Sequence, residues 1–302
     1  MPHLLSLSDL GSRGLTRLID HAIQLKADRS KETLRPLAGK SVALVFEKAS
    51  TRTRLSLEIA VAELGGHPVV LTTSGSQMGR GEPICDTARV LSRMVHAITF
   101  RTAGQERLNE MVKFSSVPVL NALTDEGHPM QLLADLMTVK QVKGRLEGLK
   151  YAWVGDGNNM AASWIEAAGL LGLELVLACP NGYDPNPKVV AAAKDLGAKV
   201  SVVRDPKLAV KDADVINTDV FASMGQEEEH QQRLRDFSGM TLTRELLAAA
   251  RPGNVVLHCL PAHRGEEISE EVLESSPYIW DEAEARLHTS KAAFLWALGL
   301  HG

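Results

Sequence analysis

Residues 41–54 read SVALVFEKASTRTR, and LSLEIAVAEL follows at 55–64 before Gly65 and Gly66. An apolar run of strand length, 41–45, passes through a polar loop into a helical segment predicted over 52–64. The same pattern recurs along the chain. VALVF (42–46), PVVL (68–71), AITF (97–100) and VPVL (117–120) are separated by helix-length stretches, and a second series comprises YAWVG (151–155), LELVLA (173–178), AKVSVV (198–203), DVIN (214–217) and NVVLHCL (254–260). Near-continuous apolar strands alternating with helices predict parallel sheets covered on both faces. The expected fold is α/β, with two doubly wound domains, each a central parallel sheet flanked by helices.

Leu15, Leu18, Ile19, Ala22 and Ile23 trace one face of an N-terminal amphipathic helix. The polar tail after Lys140, with Gly144 and Gly148, sets the expected boundary: 1–140 for the first domain and 141–285 for the second. The amphipathic segment 286–302 is expected to pack back on the first domain as a C-terminal helix.

With 302 residues, 44% of them hydrophobic, two medium cores are the natural solution. The net charge of -4, with both signs interspersed, gives no field suited to a nucleic acid. Residues 1–150 carry 20 Lys/Arg against 15 Asp/Glu, or +5, leaving 13 against 22, or -9, for 151–302. That asymmetry hints at an anion handled by the first half, although a solvated surface produces the same imbalance. Cys85, Cys179 and Cys259 form neither a disulfide framework nor a zinc pattern. With no leader-like N-terminus and no long apolar stretch, a soluble cytoplasmic protein without membrane association is expected.

Ligands of open α/β sheets collect at the carboxyl ends of the strands. At the first such end, the N–H groups opening a helix favour an anion. Ser50, Thr51 and Thr53 add hydroxyl donors, and Arg52 adds a guanidinium fork suited to phosphate. The competing reading makes Ser50 a helix cap and leaves the arginines in solvent. Further along, His128 and Gln131 lie on one face at the start of a helix, with a proline between them at 129. A helix N-terminus lowers a histidine pKa, so His128 is expected to be a neutral donor, able with Gln131 and Arg101 to polarise a carbonyl. Capping or core packing would also explain it.

GDGNN (155–159) begins like a dinucleotide fingerprint but lacks its third glycine. Asn159 is left either orienting a small polar substrate or tolerating a turn. Cys259, at a strand end, is either an inert thiol or one placed against a cationic group.

In order along the whole chain, STRTR (50–54), SGSQMG (74–79), FRT (100–102), HPMQ (128–131), GDGNN, DVFASMGQEEE (219–229), HCLPAHRGEEI (258–268) and EAEARLHTSKA (282–292) resemble the transcarbamoylase family, and its ornithine-directed branch in particular. The resemblance implies an enzyme of arginine biosynthesis that converts carbamoyl phosphate and L-ornithine to L-citrulline and phosphate, with no metal and no organic cofactor. By position it makes Ser50, Thr51, Arg52 and Thr53 phosphate ligands and Arg101, His128 and Gln131 donors to the carbamoyl carbonyl. Gln77 lies in the loop that, in this family, reaches a neighbouring subunit's site, so the resemblance implies a homotrimer or a multiple of trimers. Asn159, Asp219, Ser223 and Met224 match the amino-acid site, with Asp219 suited to the α-ammonium. Cys259 and Leu260 match the loop at the δ-amine, with Cys259 counted among the catalytic residues beside Arg101, His128 and Gln131. The resemblance adds Gln77, Cys259, Leu260 and Arg286 to the residues that meet carbamoyl phosphate. Ala49 and Leu57 depart from residues common in the family, proline and phenylalanine, at positions that supply no donor.

Rival acceptors are aspartate, putrescine and an acylated ornithine. Aspartate fits the second half poorly, because a dicarboxylate calls for more cations there. A dinucleotide-dependent oxidoreductase would explain GDGN but neither STRTR nor HPMQ. A non-catalytic carbamoyl phosphate or amino-acid binding protein is the third class.

Overall fold

The computed structural model describes residues 2–29, 35–222 and 229–300. It divides into two units, 1–137 with 284–302 and 138–283. In the first, β1 (Ser41–Phe46), β2 (His67–Thr72), β3 (Ala97–Arg101) and β4 (Val119–Leu123) form one parallel sheet in the order β2-β1-β3-β4. Helices α1 (Gly11–Ala27), α2 (Thr51–Glu63), α3 (Ile84–Leu91), α4 (Gln105–Phe114) and α5 (Pro129–Lys143) lie before and between the strands and after β4. The apolar run of β1 is buried from Val42 to Phe46, as a strand covered on both faces must be. On one face Ala43, Val45, Ile98, Phe100 and Val119 pack with Ile84 and Ala88 of α3 and with Leu108 and Met111 of α4. Pro68, which has no N–H for a ladder, sits in the edge strand β2.

β4 runs further than its apolar sequence suggests, through Asn121. The Asn121 side chain is satisfied inside the fold: Nδ2 donates to Leu5 O (2.9 Å) and Oδ1 accepts from Leu123 N (2.9 Å). A buried polar residue that is bonded on both sides does not end a strand.

The second unit repeats the design with β5 (Lys150–Val154), β6 (Glu174–Ala178), β7 (Lys199–Val203), β8 (Val215–Thr218) and β9 (Val255–His258), all parallel, in the order β7-β6-β5-β8-β9. Its helices are α6 (Asn159–Leu171), α7 (Pro187–Asp195), α8 (Pro206–Val210), α9 (His230–Asp236), α10 (Arg244–Leu247) and α11 (Glu270–Ser275). Val154, Ile216 and Val256 from the sheet meet Phe221, Phe237 and Leu242 in its core.

The last helix, α12 (Tyr278–Ala297), belongs with the first unit from Glu284 onward. Lys291 pairs there with Glu63 at the end of α2, and Glu284 lies 3.2 Å from Lys26 of α1. The C-terminal helix thus packs on the first unit, as expected. No described helix is long and apolar enough to cross a membrane.

Strand order fixes where ligands can enter. The connections change direction between β1 and β3 in the first sheet and between β5 and β8 in the second, and crevices open at the carboxyl ends of such neighbouring strands. Residues 47–53 and 101–102 follow the first pair, and 155–159 and 219–222 follow the second.

Candidate active site

Ser50 caps α2 from an extended conformation, its Oγ accepting from Thr53 N at 3.3 Å. The capping interpretation of Ser50 is therefore what the chain adopts. Thr53 is buried and acts as a hub: its Oγ1 accepts from Arg101 Nη1 at 3.3 Å and from Arg286 Nη2. Two accepted bonds occupy the lone pairs of that hydroxyl and leave its hydrogen to donate. Arg101 and Arg286 are only 6% and 4% exposed, so two buried cations meet at one oxygen. Arg52 keeps its Nε buried and without a hydrogen-bond partner, whereas Arg54 is exposed and pairs with Glu58 at 3.3 Å. Thr51 is exposed at the first helical position, and Gln77 is exposed on the short turn Gln77–Arg80.

Two local devices set Arg101. The β3–β4 pairing slips between Phe100 and Arg101, a bulge of the kind that redirects the residues beyond it. Glu47 then ties the loop after β1 to the segment after β3. It accepts from Thr102 Oγ1 (2.5 Å) and Arg107 Nε (2.9 Å), and its own N–H donates to Arg101 O (2.9 Å). Burial pushes the Glu47 carboxyl up, but the bonds from Arg107 and Thr102 outweigh it and hold the group below its ordinary range.

A turn from Thr124 N to Gly127 O (3.0 Å) delivers His128 to the start of α5, fully within the fold. Burial first, then the positive charges of Arg286 and Arg101, hold its imidazole well below the ordinary range. The ring is neutral at neutral pH, as expected, but burial is the leading cause. Gln131, also buried, donates from Nε2 to Asp135 Oδ1 at 2.8 Å. Asp135, which fixes that amide, carries no signal in the sequence beyond its i+4 spacing.

In the second unit it is Asn158 that caps α6. Its Oδ1 accepts from Met160 N (2.9 Å) and Ala161 N (3.2 Å), while Nδ2 donates to Asp219 Oδ2 (2.9 Å). Asn159 is half-buried as the first helical residue. Asp219 also accepts on Oδ1 from Val220 N (2.8 Å) and from the Cys259 thiol (3.0 Å). Asn158, Asp219 and Cys259 thus come together from the ends of β5, β8 and β9. Ser223 and Met224 lie outside the described residues.

His258 does not serve Cys259 as a base. Its Nδ1 accepts from Leu260 N (2.9 Å) and its Nε2 meets Glu267 Oε1 (3.0 Å), so both ring nitrogens are engaged away from the thiol. Leu260 is held there at φ 58, an uncommon conformation for a branched residue.

The second glycine of GDGNN has a packing reason. A Cβ on Gly157 would fall 2.2 Å from Pro185 N, so the motif's resemblance to a dinucleotide fingerprint is explained by its own neighbouring loop.

Asp156, between those glycines, pairs with Arg233 at 2.8 Å, and Arg233 also donates to Phe221 O at 3.0 Å. Burial, reinforced by the Asp219 charge, nevertheless pushes the Asp156 carboxyl up from 3.8 to about 6, against the pull of Arg233. A carboxyl raised in the folded state favours folding at pH values below 3.8, and that contribution is lost as pH rises through about 6. Denaturant unfolding followed over this window should show the decline, and Asp156→Asn should remove it. An identical pH slope in the variant would show that other groups govern it.

Residues 2–141 match the family model described as the aspartate/ornithine carbamoyltransferase carbamoyl-P binding domain, and 147–297 match its Asp/Orn binding domain. A protein of Geobacter metallireducens named ornithine carbamoyltransferase is 53% identical over 293 residues, covering 96% of this chain and 97% of the relative. One of Desulfotalea psychrophila with the same name is 53% identical, covering 98% and 99%. The anabolic ornithine carbamoyltransferase of Campylobacter jejuni superposes with a TM-score of 0.94 at 38% identity over the full length of both chains. That of Pyrococcus furiosus also gives 0.94, at 43% identity over 99% of this chain and 98% of the other. With both domain models matched in order and relatives alike over nearly its whole length, the chain belongs to the aspartate/ornithine carbamoyltransferase family.

Proposed function

We propose that this enzyme transfers the carbamoyl group of carbamoyl phosphate to the δ-amine of L-ornithine, giving L-citrulline and phosphate in the cytoplasm, as a step of arginine biosynthesis. The observation that carries the reading is the convergence of Arg101 and Arg286 on Thr53 at the N-terminus of α2, beside a neutral His128. Two guanidiniums meeting at the hydroxyl of a helix's first turn, where the opening N–H groups also favour negative charge, make a setting suited to an anion.

Carbamoyl phosphate is assigned to the first domain, with its boundary near residue 140 and with 286–302 included. Its phosphate takes the α2 N–H groups, the hydroxyls of Ser50, Thr51 and Thr53, and the Arg52 and Arg286 guanidiniums. The buried Arg52 Nε supports this, since an unpaired buried donor costs about 1–3 kcal/mol that a phosphate oxygen recovers. The carbonyl oxygen takes Arg101, His128 and Gln131. These bonds strengthen as the oxygen becomes an oxyanion, and that differential binding accelerates the step.

Ornithine is assigned to the second domain, with its α-ammonium on Asp219 and its polar head on Asn159, Ser223 and Met224. Cys259 and Leu260 select the uncharged δ-amine, the minor form of an alkylamine near neutrality. The amine nitrogen bonds to the carbonyl carbon, the bond from that carbon to the phosphate oxygen breaks, and the departing phosphate accepts the amine proton. Gln77, exposed on its turn, is assigned to a neighbouring subunit's site in a homotrimer or multiple of trimers.

The test is to incubate purified protein with carbamoyl phosphate and a panel of amines, measuring carbamoylated product and phosphate. Citrulline from ornithine is expected. Turnover confined to aspartate, putrescine or an acylated ornithine would reassign the acceptor.

A further inference from the structure

A second group of side chains converges in the second unit, where no role has been given to any member. His230, His263 and Glu266 each bring one ligand atom within 4.8 Å of the others. His230 Nε2 lies 3.2 and 3.0 Å from the two Glu266 oxygens, and His263 Nδ1 lies 3.5 Å from Glu266 Oε2. The two rings meet edge to face, with centroids 6.4 Å apart. Metal bonds of about 2.0–2.2 Å at a tetrahedral angle set neighbouring ligand atoms about 3.3–3.5 Å apart, so the two edges that meet at Glu266 are close to those of a coordination site. Two imidazoles and a carboxylate are a donor set suited to zinc and its neighbours.

The backbone holds these side chains in place. Glu266 N donates to His263 O (3.0 Å), Thr241 Oγ1 donates to Glu266 O (2.6 Å), and His263 N donates to Glu267 Oε1 (2.6 Å). His230 opens α9, and one turn later Arg233 is anchored to Asp156 and to Phe221 O. The side chains stay partly exposed, at 31% for His230, 44% for His263 and 24% for Glu266, which leaves a side open for entry and for water. Sequence spacing conceals the site, because His230 stands far from the HRGE segment.

We propose that His230 Nε2, His263 Nδ1 and Glu266 bind one divalent transition-metal ion of the zinc class, with water completing the coordination. The ion joins α9 to the loop that carries Cys259 and Leu260, and so stabilises the second unit by binding the folded state alone.

The experiment titrates chelator-treated protein with Co2+, followed by visible absorption, and with Zn2+, followed by calorimetry. One ion per chain is expected, with the d–d spectrum of a low-coordinate nitrogen and oxygen site and a rise in thermal midpoint. Removing a support outside a metal's ligand set typically costs 10–100-fold in affinity, so Glu266→Gln and His230→Ala, which remove ligands, should each weaken binding at least about tenfold. Both variants should keep metal-free carbamoyl transfer. His263→Gln serves if His230→Ala fails to fold, as judged by circular dichroism. Absence of binding, or binding untouched by these substitutions, overturns the proposal. So does a sulfur-to-cobalt charge-transfer band, which would place the ion on Cys259 instead.

Discussion

Arg101→Leu is expected to lower kcat by about 10²–10³-fold while carbamoyl phosphate still saturates the enzyme. The size is that of one donor removed from a developing oxyanion, about 3–4 kcal/mol. The pattern follows from the assignment of roles. Arg101 is assigned to the carbonyl oxygen, whose charge grows only in the transition state, so its loss is expected to fall on kcat and not on ground-state binding. Arg286→Leu should behave in the opposite way, because a phosphate ligand binds ground and transition states alike and its loss raises KM. Both guanidiniums are buried at Thr53 Oγ1 and each makes further interactions, so the structural part of any loss has to be measured alongside the kinetics. Steady-state kinetics in carbamoyl phosphate, with thermal midpoints as control, decide the matter. An unchanged kcat with a raised KM in Arg101→Leu would exchange the two roles.

Much of the architecture is legible in the sequence because apolar runs and helix starts are local. The helix after STRTR begins at Thr51 because Ser50 caps it, and β1 is a buried strand because five successive side chains need cover. What local reading loses is the meeting of loops. Thr53 contacts Arg101 and Arg286 across separations of 48 and 233 residues, and Asn158 reaches Asp219 across 61. Those contacts depend on strand order, which puts β1 beside β3 and β5 beside β8, and apolar periodicity is silent about order. Polar residues serving other polar residues are hidden for the same reason. Glu47 looks like one more acid in a loop, and only the fold shows it clamping Thr102 and Arg107. GDGNN illustrates the converse error: a motif suggests a ligand, and the glycine's real constraint is the backbone at Asp184–Pro185.

Asp219→Asn should reduce kcat/KM for ornithine by about 10²-fold or more, chiefly through KM. Losing one partner of a buried, hydrogen-bonded charge pair costs about 2–5 kcal/mol, and each 1.4 kcal/mol is tenfold. The substitution is close in shape but not in bonding. Asn158 cannot turn its amide to help, because its Oδ1 caps α6 through Met160 and Ala161. The new amide nitrogen would therefore face either the Asn158 Nδ2 donor or the Val220 N–H, donor against donor in both cases. A further loss of about 1–3 kcal/mol in unfolding free energy is expected from that mismatch. The structural part can be separated from the recognition part by changing the ligand as well as the residue. 5-Aminopentanoate retains the attacking amine and the carboxylate but lacks the α-ammonium, so its turnover should be poor and nearly indifferent to Asp219→Asn. The difference between the two substrates then measures the ammonium contact alone, since disorder in the site affects both equally. Equal losses for ornithine and 5-aminopentanoate would mean that Asp219 acts by holding Asn158, Val220 and Cys259 in place, and the α-ammonium would need another partner.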